Sequence, residues 1–91
     1  MNSEQVCEVL EKYKTILLEK GYSPLKMNTE YVIDNDVSSA EVDFVQHLLW
    51  MCCEAATFSN EAKMMRWLGF IQGSFVALGW FSINELKDDN R

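Results

Sequence analysis

One stretch limits the fold more than any other: Lys63-Met64-Met65-Arg66-Trp67-Leu68-Gly69-Phe70-Ile71-Gln72-Gly73-Ser74-Phe75-Val76-Ala77-Leu78-Gly79. Met64, Leu68, Ile71, Phe75 and Leu78 recur at helical spacing, and Met65, Trp67, Phe70 and Val76 add apolar surface on other sides. A helix that apolar must be covered on most sides, by its own chain or by a neighbour. Between Met64 and Asn84 the one charged side chain is Arg66. A guanidinium does not lose its proton, so in such surroundings it needs an anion. Gly69 and Gly73 leave a groove four residues long in pitch, at a helix cost of about 1 kcal/mol each relative to alanine. Close approach of another backbone is the simplest compensation.

A chain of 91 residues makes one small domain, read here as residues 1–91. Its apolar content, 48% with three Trp and five Phe, exceeds what a few helices can bury alone. A homo-oligomer is therefore expected. Gln72, Gly73, Ser74 and Gly79 interrupt the longest uncharged run, which argues against a membrane span. No basic start leads into an apolar run, so no secretory leader is expected. The formal charge of −6 disfavours DNA, RNA and anionic membranes as partners. It leaves room for a small anion held by a few cations. Cys7, Cys52 and Cys53 are an odd set without C-x-x-C spacing, which suits reduced thiols in a cytosol.

Taken in order, the chain reads as all-α. Ser3 can cap a first helix to about Lys20, with Val6, Val9, Leu10, Tyr13, Ile16 and Leu17 inward and Gly21 as its stop. Tyr13 on that stripe reads equally as a core tyrosine. Residues 21–38 carry the one Pro and little periodicity, so they form a long loop. Within it Tyr31-Val32-Ile33 can be extended and Asp34-Asn35-Asp36 is a turn signal. Lys26, Asn28 and Thr29 place a cation, an amide and a hydroxyl close together, or are simply solvated. Ser38 and Glu41 have capping-box spacing ahead of a helix to about Phe58, whose apolar side is Val42, Val45, Leu48, Leu49, Cys52 and Ala56. Phe44, Trp50 and Met51 broaden it. Ser59-Asn60 breaks the pattern and caps the third helix, so residues 39–79 form an antiparallel hairpin. Gly79 ends it. Ser82 and Glu85 make a second capping box for a short helix from Ile83 to about Asp89, within a C-terminal piece at 82–91.

Little in this chain points to catalysis. The single histidine, His47, has no evident partner, and there is no Walker loop, G-x-G-x-x-G or G-x-S-x-G. His47 with Cys52 and Cys53 matches no metal-ligand spacing. No cofactor or metal is expected, and the chain reads as a binding protein rather than an enzyme. Lys63 and Arg66, three apart, share a helix face and can present two charges to one anion. The competing arrangement pairs Arg66 with a facing carboxylate such as Glu54.

Three segments carry a resemblance: His47-Leu48-Leu49-Trp50-Met51-Cys52, then Arg66-Trp67-Leu68-Gly69-Phe70-Ile71-Gln72-Gly73, then Ile83-Asn84-Glu85-Leu86-Lys87. Together they resemble the type 2 anti-CBASS family of phage immune-evasion sponges, a helical-hairpin family. A related hairpin sits within a sponge that counters the Thoeris system. The resemblance spans residues 41 to 90 and is weaker over the first forty.

It implies a homohexamer in the cytoplasm of an infected bacterial host. Such a sponge binds cyclic dinucleotides such as 3′,3′-cGAMP, and in some members cyclic trinucleotides at a separate site, without cleaving them. The CBASS effector is thereby starved of its messenger. Residue by residue, the resemblance implies Tyr13 for base stacking and Lys26 for a base or phosphate. It implies Thr29, with Asn28 competing, for a phosphate oxygen, and Arg66 for a phosphate. His47 and Lys63 are candidates for a second site. The rival reading is a small acidic helical inhibitor that acts by direct contact with a host protein. A regular double row of carboxylates would favour that rival as a charge mimic, and the acids here form none.

Overall fold

The computed structural model describes residues 1–27 and 37–90, the side chains of residues 37–40 excepted. The expectations for Tyr31-Val32-Ile33, for the Asp34-Asn35-Asp36 turn and for Asn28 and Thr29 lie outside the described residues. Among the described residues there are four α-helices and no strand: α1 (Ser3–Glu19), α2 (Val37–Ala55), α3 (Glu61–Ala77) and α4 (Ile83–Asp89).

Local chemistry accounts for the ends. Asn2, not Ser3, caps α1: its side chain accepts from the Gln5 N–H, and Gln5 accepts from the Asn2 N–H, both at 2.9 Å. An amide one residue earlier thus completes a reciprocal box that Ser3 lacks a partner for. α2 starts at Val37, so Ser38 lies inside the helix rather than capping it. It stops at Ala55, where Thr57 and Phe58 turn back onto the Glu54 and Ala55 carbonyls. Asn60 caps α3 through the Lys63 N–H at 2.9 Å. Ser82 and Glu85 form the box that opens α4.

Helices α1 and α3 end in the same way. Gly21 (φ 92°) and Gly79 (φ 77°) take the left-handed turn that only glycine adopts without strain. The following N–H of Tyr22 reaches Leu17, and that of Trp80 reaches Phe75. These six-residue closures satisfy carbonyls that the helices would leave bare. Tyr22 and Trp80 then meet, their centroids 5.7 Å apart.

A short α2–α3 connection and complementary stripes make α1, α2 and α3 an up-down-up bundle. Contacts from Ser3 to Glu61 and from Tyr13 to Gln72 set α1 and α3 parallel. Trp50 against Trp67 and Phe44 against Phe70 set α2 and α3 antiparallel. The core takes Val6, Leu10, Tyr13 and Leu17 from α1, Val45, Leu48, Leu49 and Cys52 from α2, and Met64, Leu68, Ile71 and Phe75 from α3. α4 folds back over α1 and α3 and buries Leu86. Two residues assigned to the inner side of α2 are elsewhere: Val42 is 45% exposed, and Ala55 rather than Ala56 is buried. The helix period places residue 55 over the core and rotates 56 off it.

Within its own chain α3 is covered along one stripe only. Met65 is 41% and Phe70 52% exposed, because α1 and α2 together cover only one flank. Among the described residues Gly69 and Gly73 face no other part of the chain, since a methyl group at either would meet nothing within 4 Å. With Phe44, Phe70, Ser74, Ala77 and Leu78 they line an open groove of about 450 Å³. No helix among the described residues is long and apolar enough to cross a membrane.

Candidate functional site

A second stripe runs beside the core stripe on each hairpin helix. On α2 it is His47, Trp50 and Met51; on α3 it is Lys63, Arg66, Trp67 and Phe70, all at three- and four-residue spacing. The antiparallel packing brings the two stripes together. Arg66, His47, Met51, Trp67 and Phe70 line one open hollow of about 420 Å³. Lys26, His47, Trp50, Met51 and Trp67 line a second, more enclosed one of about 230 Å³. His47, Met51 and Trp67 are common to both, so the hollows are neighbouring parts of one trough.

Its walls are rings and cations. Trp67 stands 4.7 Å from Phe58 and 5.9 Å from Trp50, centroid to centroid. His47 stacks on Trp50 at 5.4 Å, 25° from parallel. Lys26 Nζ lies 5.2 Å from the Trp50 centroid, and Lys63 Nζ lies 4.4 Å from that of Phe58. Arg66 is exposed and makes no ion pair among the described residues; the pairing with Glu54 is not formed. In a chain of eight bases and fourteen acids, three bases gather here and no carboxylate lines either hollow.

The segment that carries Lys26 is tied to α2 at alternate residues. The Ser23 N–H donates to Gln46 Oε1 at 3.4 Å, the Leu25 N–H to the Gln46 carbonyl at 3.2 Å, and the Met27 N–H to His47 Nδ1 at 3.1 Å. Accepting at Nδ1 requires that the neutral ring keep its proton on Nε2. Burial first, and the Lys26 charge second, hold His47 below its ordinary pKa of 6.5. The trough therefore presents donors on every side: an ammonium, a guanidinium and a neutral imidazole N–H. Such a lining suits an anion with flat, apolar parts.

The structure distributes the sequence candidates as follows. Lys26, His47 and Arg66 come together, with Lys63 beside them on the Phe58 and Trp67 rings. His47 thus lines the same hollow as Arg66. Tyr13 does not join them. Its side chain is fully buried, edge-on to Phe75 at 5.2 Å and tilted against Phe81 at 5.7 Å. Its hydroxyl donates to Asp89 at 2.8 Å and accepts from Gln72 at 3.0 Å. Burial, chiefly, drives the phenol far above its ordinary range. No ring face is open for a base to stack on, so the core role prevails in this conformation. The rings available for stacking are Trp50 and Trp67, which sequence reasoning set aside as extra apolar breadth. Their signal was the second stripe itself.

The thiols of Cys7, Cys52 and Cys53 are free. Cys52 is buried in the core, and burial pushes it up to about 12. Among the described residues no group of His, Cys, Asp or Glu could hold a metal ion. No protein-family profile matches the chain, and neither a curated protein nor a solved structure is significantly similar to it.

Proposed function

We propose that this chain is a sponge for cyclic oligonucleotides: it holds a messenger such as 3′,3′-cGAMP in a homo-oligomer, a hexamer on the family resemblance, and leaves it uncleaved. The observation that carries this is the unpaired Arg66 beside a ring-walled trough that Lys26 and His47 also line. A cyclic dinucleotide has two phosphates and two flat bases, which call for cations and rings at once. In this reading Arg66 takes a phosphate, Lys26 a phosphate or base edge, and Trp67 and Trp50 stack a base. On the family resemblance, Thr29, or Asn28 in its place, bonds a phosphate oxygen. Lys63 extends the positive rim and remains a candidate for a separate trinucleotide site.

Magnitudes are adequate. A sponge that outcompetes its effector needs nanomolar affinity, about −12 kcal/mol. Charge-assisted hydrogen bonds contribute about 1.5–3 kcal/mol each, and stacking about 1–3 kcal/mol per base. One trough, open on one side, falls short alone. Two troughs brought together by a second copy supply the contacts twice and shield them from water. The exposed groove along Gly69, Gly73 and Phe70 is where such a copy would seat. That same apolar groove is also what a host-protein inhibitor would use, and this is the alternative.

The test is to incubate the protein with a panel of cyclic di- and trinucleotides, filter, then denature and identify what is released. Release of an intact cyclic nucleotide supports the sponge. Hydrolysed product would make the protein an enzyme. An empty filtrate, with a stoichiometric host protein captured instead, would favour the inhibitor.

A further inference from the structure

Three backbone N–H groups, those of Ser23, Leu25 and Met27, hang the segment on Gln46 and His47 of α2. The alternate side chain, Lys26, reaches over Trp50. Two of the three acceptors are amide oxygens, which do not change with pH. The third is His47 Nδ1, and it lies next to Lys26. A protonated imidazole has no lone pair there and would turn an N–H toward the Met27 N–H.

We propose that His47 is a proton-operated latch: as the neutral ring it holds the Lys26 end of the segment against α2, and as imidazolium it releases it. Charges around the ring oppose its protonation. From the segment comes Lys26, and from α3 comes Arg66 across the shared hollow, with Lys63 a turn earlier. On α2 itself Asp43 lies one turn before His47 and is the one acid near enough in sequence to favour the imidazolium. Stacking on Trp50 keeps the ring flat against the helix in the accepting orientation. The latch bears on ligand capture only through the function proposed above, in which Lys26 is a contact. The latch itself stands without any ligand.

The experiment follows the Met27 amide and the His47 ring by NMR in the ligand-free protein from pH 8 to pH 5. The expected result is a shift and a faster hydrogen exchange of the Met27 amide that track the His47 titration, with a midpoint below 6.5, while Ser23 and Leu25 move less. In His47→Asn the side-chain oxygen replaces Nδ1 as a non-titrating acceptor, and the Met27 response disappears. A Met27 amide that stays still while His47 titrates overturns the latch. So does an unchanged transition in His47→Asn. Should that variant not fold, the wild-type titration decides alone. Binding of the same panel of cyclic di- and trinucleotides is read separately at pH 7.5. Its absence would defeat the sponge and leave the latch untouched. If both hold, the ratio of wild-type to Lys26→Ala affinity falls toward one as the pH drops to 5.5.

Discussion

Two polar clusters in this small bundle differ in one respect. Where α4 lies over α1 and α3, Tyr13, Gln72, Asp89, Asn90 and Lys12 answer one another completely. Gln72 and Asn90 exchange hydrogen bonds at 2.8 and 3.0 Å, Tyr13 bridges Gln72 and Asp89, and Lys12 closes on Asp89. No buried side-chain donor or acceptor among the described residues lacks a partner. Where α2 and α3 face solvent, by contrast, Lys26 and Lys63 rest on rings, and neither they nor Arg66 form an ion pair among the described residues. A mated cluster stabilises the fold. An unmated one, concentrated against the overall charge of the chain, adds little to the fold. The clusters should therefore respond to mutation in opposite ways.

The largest effect expected is at Arg66. Arg66→Ala should weaken cyclic dinucleotide binding at least a hundredfold by calorimetry, the loss of a charge-assisted bond from each of two copies at about 1.5–3 kcal/mol. Its melting temperature should stay within about 2 °C, since the residue supports no packing. Unchanged affinity would remove Arg66 from the site. The reverse pattern is expected at Tyr13. Tyr13→Phe deprives Asp89 and Gln72 of a partner each and should cost about 1–3 kcal/mol in urea unfolding. Binding at saturating folded protein should be unaffected; a matching loss of affinity would blur the distinction between the clusters.

Alkali probes the same core more gently. Tyr13 and Cys52 are both raised on folding, so above their ordinary pKa values the unfolded chain gives up protons that the native chain keeps. Stability is then full below about pH 8.5 and falls as the pH rises through 9 and 10. Melting temperatures across pH 7–11 check this, and Cys52→Ala with Tyr13→Phe should flatten the curve. The smallest effect is expected at Gly73. Nothing within the chain opposes a methyl group there, so Gly73→Ala should stabilise an isolated subunit by about 0.4–1 kcal/mol. If a second copy seats in the groove, sedimentation should show weaker assembly at the same time. Gain without loss of assembly would place the interface elsewhere.

Much of the fold was legible because helices announce themselves through period and punctuation. The inward stripes of α1 and α3, the Ser82 box and the glycines at 21 and 79 all appear where spacing puts them. Caps were harder. Asn2 and Ser3 are both good first residues, and only the Gln5 reply distinguishes them. A run of apolar letters also does not say how much of the cover on α3 comes from the same chain, and here its own chain covers one flank. The site was legible in its charges and not in its rings. Arg66 stands out by isolation, whereas Trp50 and Trp67 look like ordinary core until α2 and α3 are placed side by side. Tyr13 illustrates the opposite failure. A polar aromatic on a helix stripe has the chemistry to stack on a base, but its depth is set by α4, which lies far along the chain.

The junction of Tyr22 with Trp80 ties the outlet of one helix to the outlet of another. From that point one strand of backbone departs for Lys26 and the other for α4. Loosening the tail should thus be felt at the lysine, as a slackened rope shifts whatever shares its cleat. On the sponge reading, a truncation at the carboxyl end should weaken nucleotide binding by calorimetry although it removes no residue of the trough.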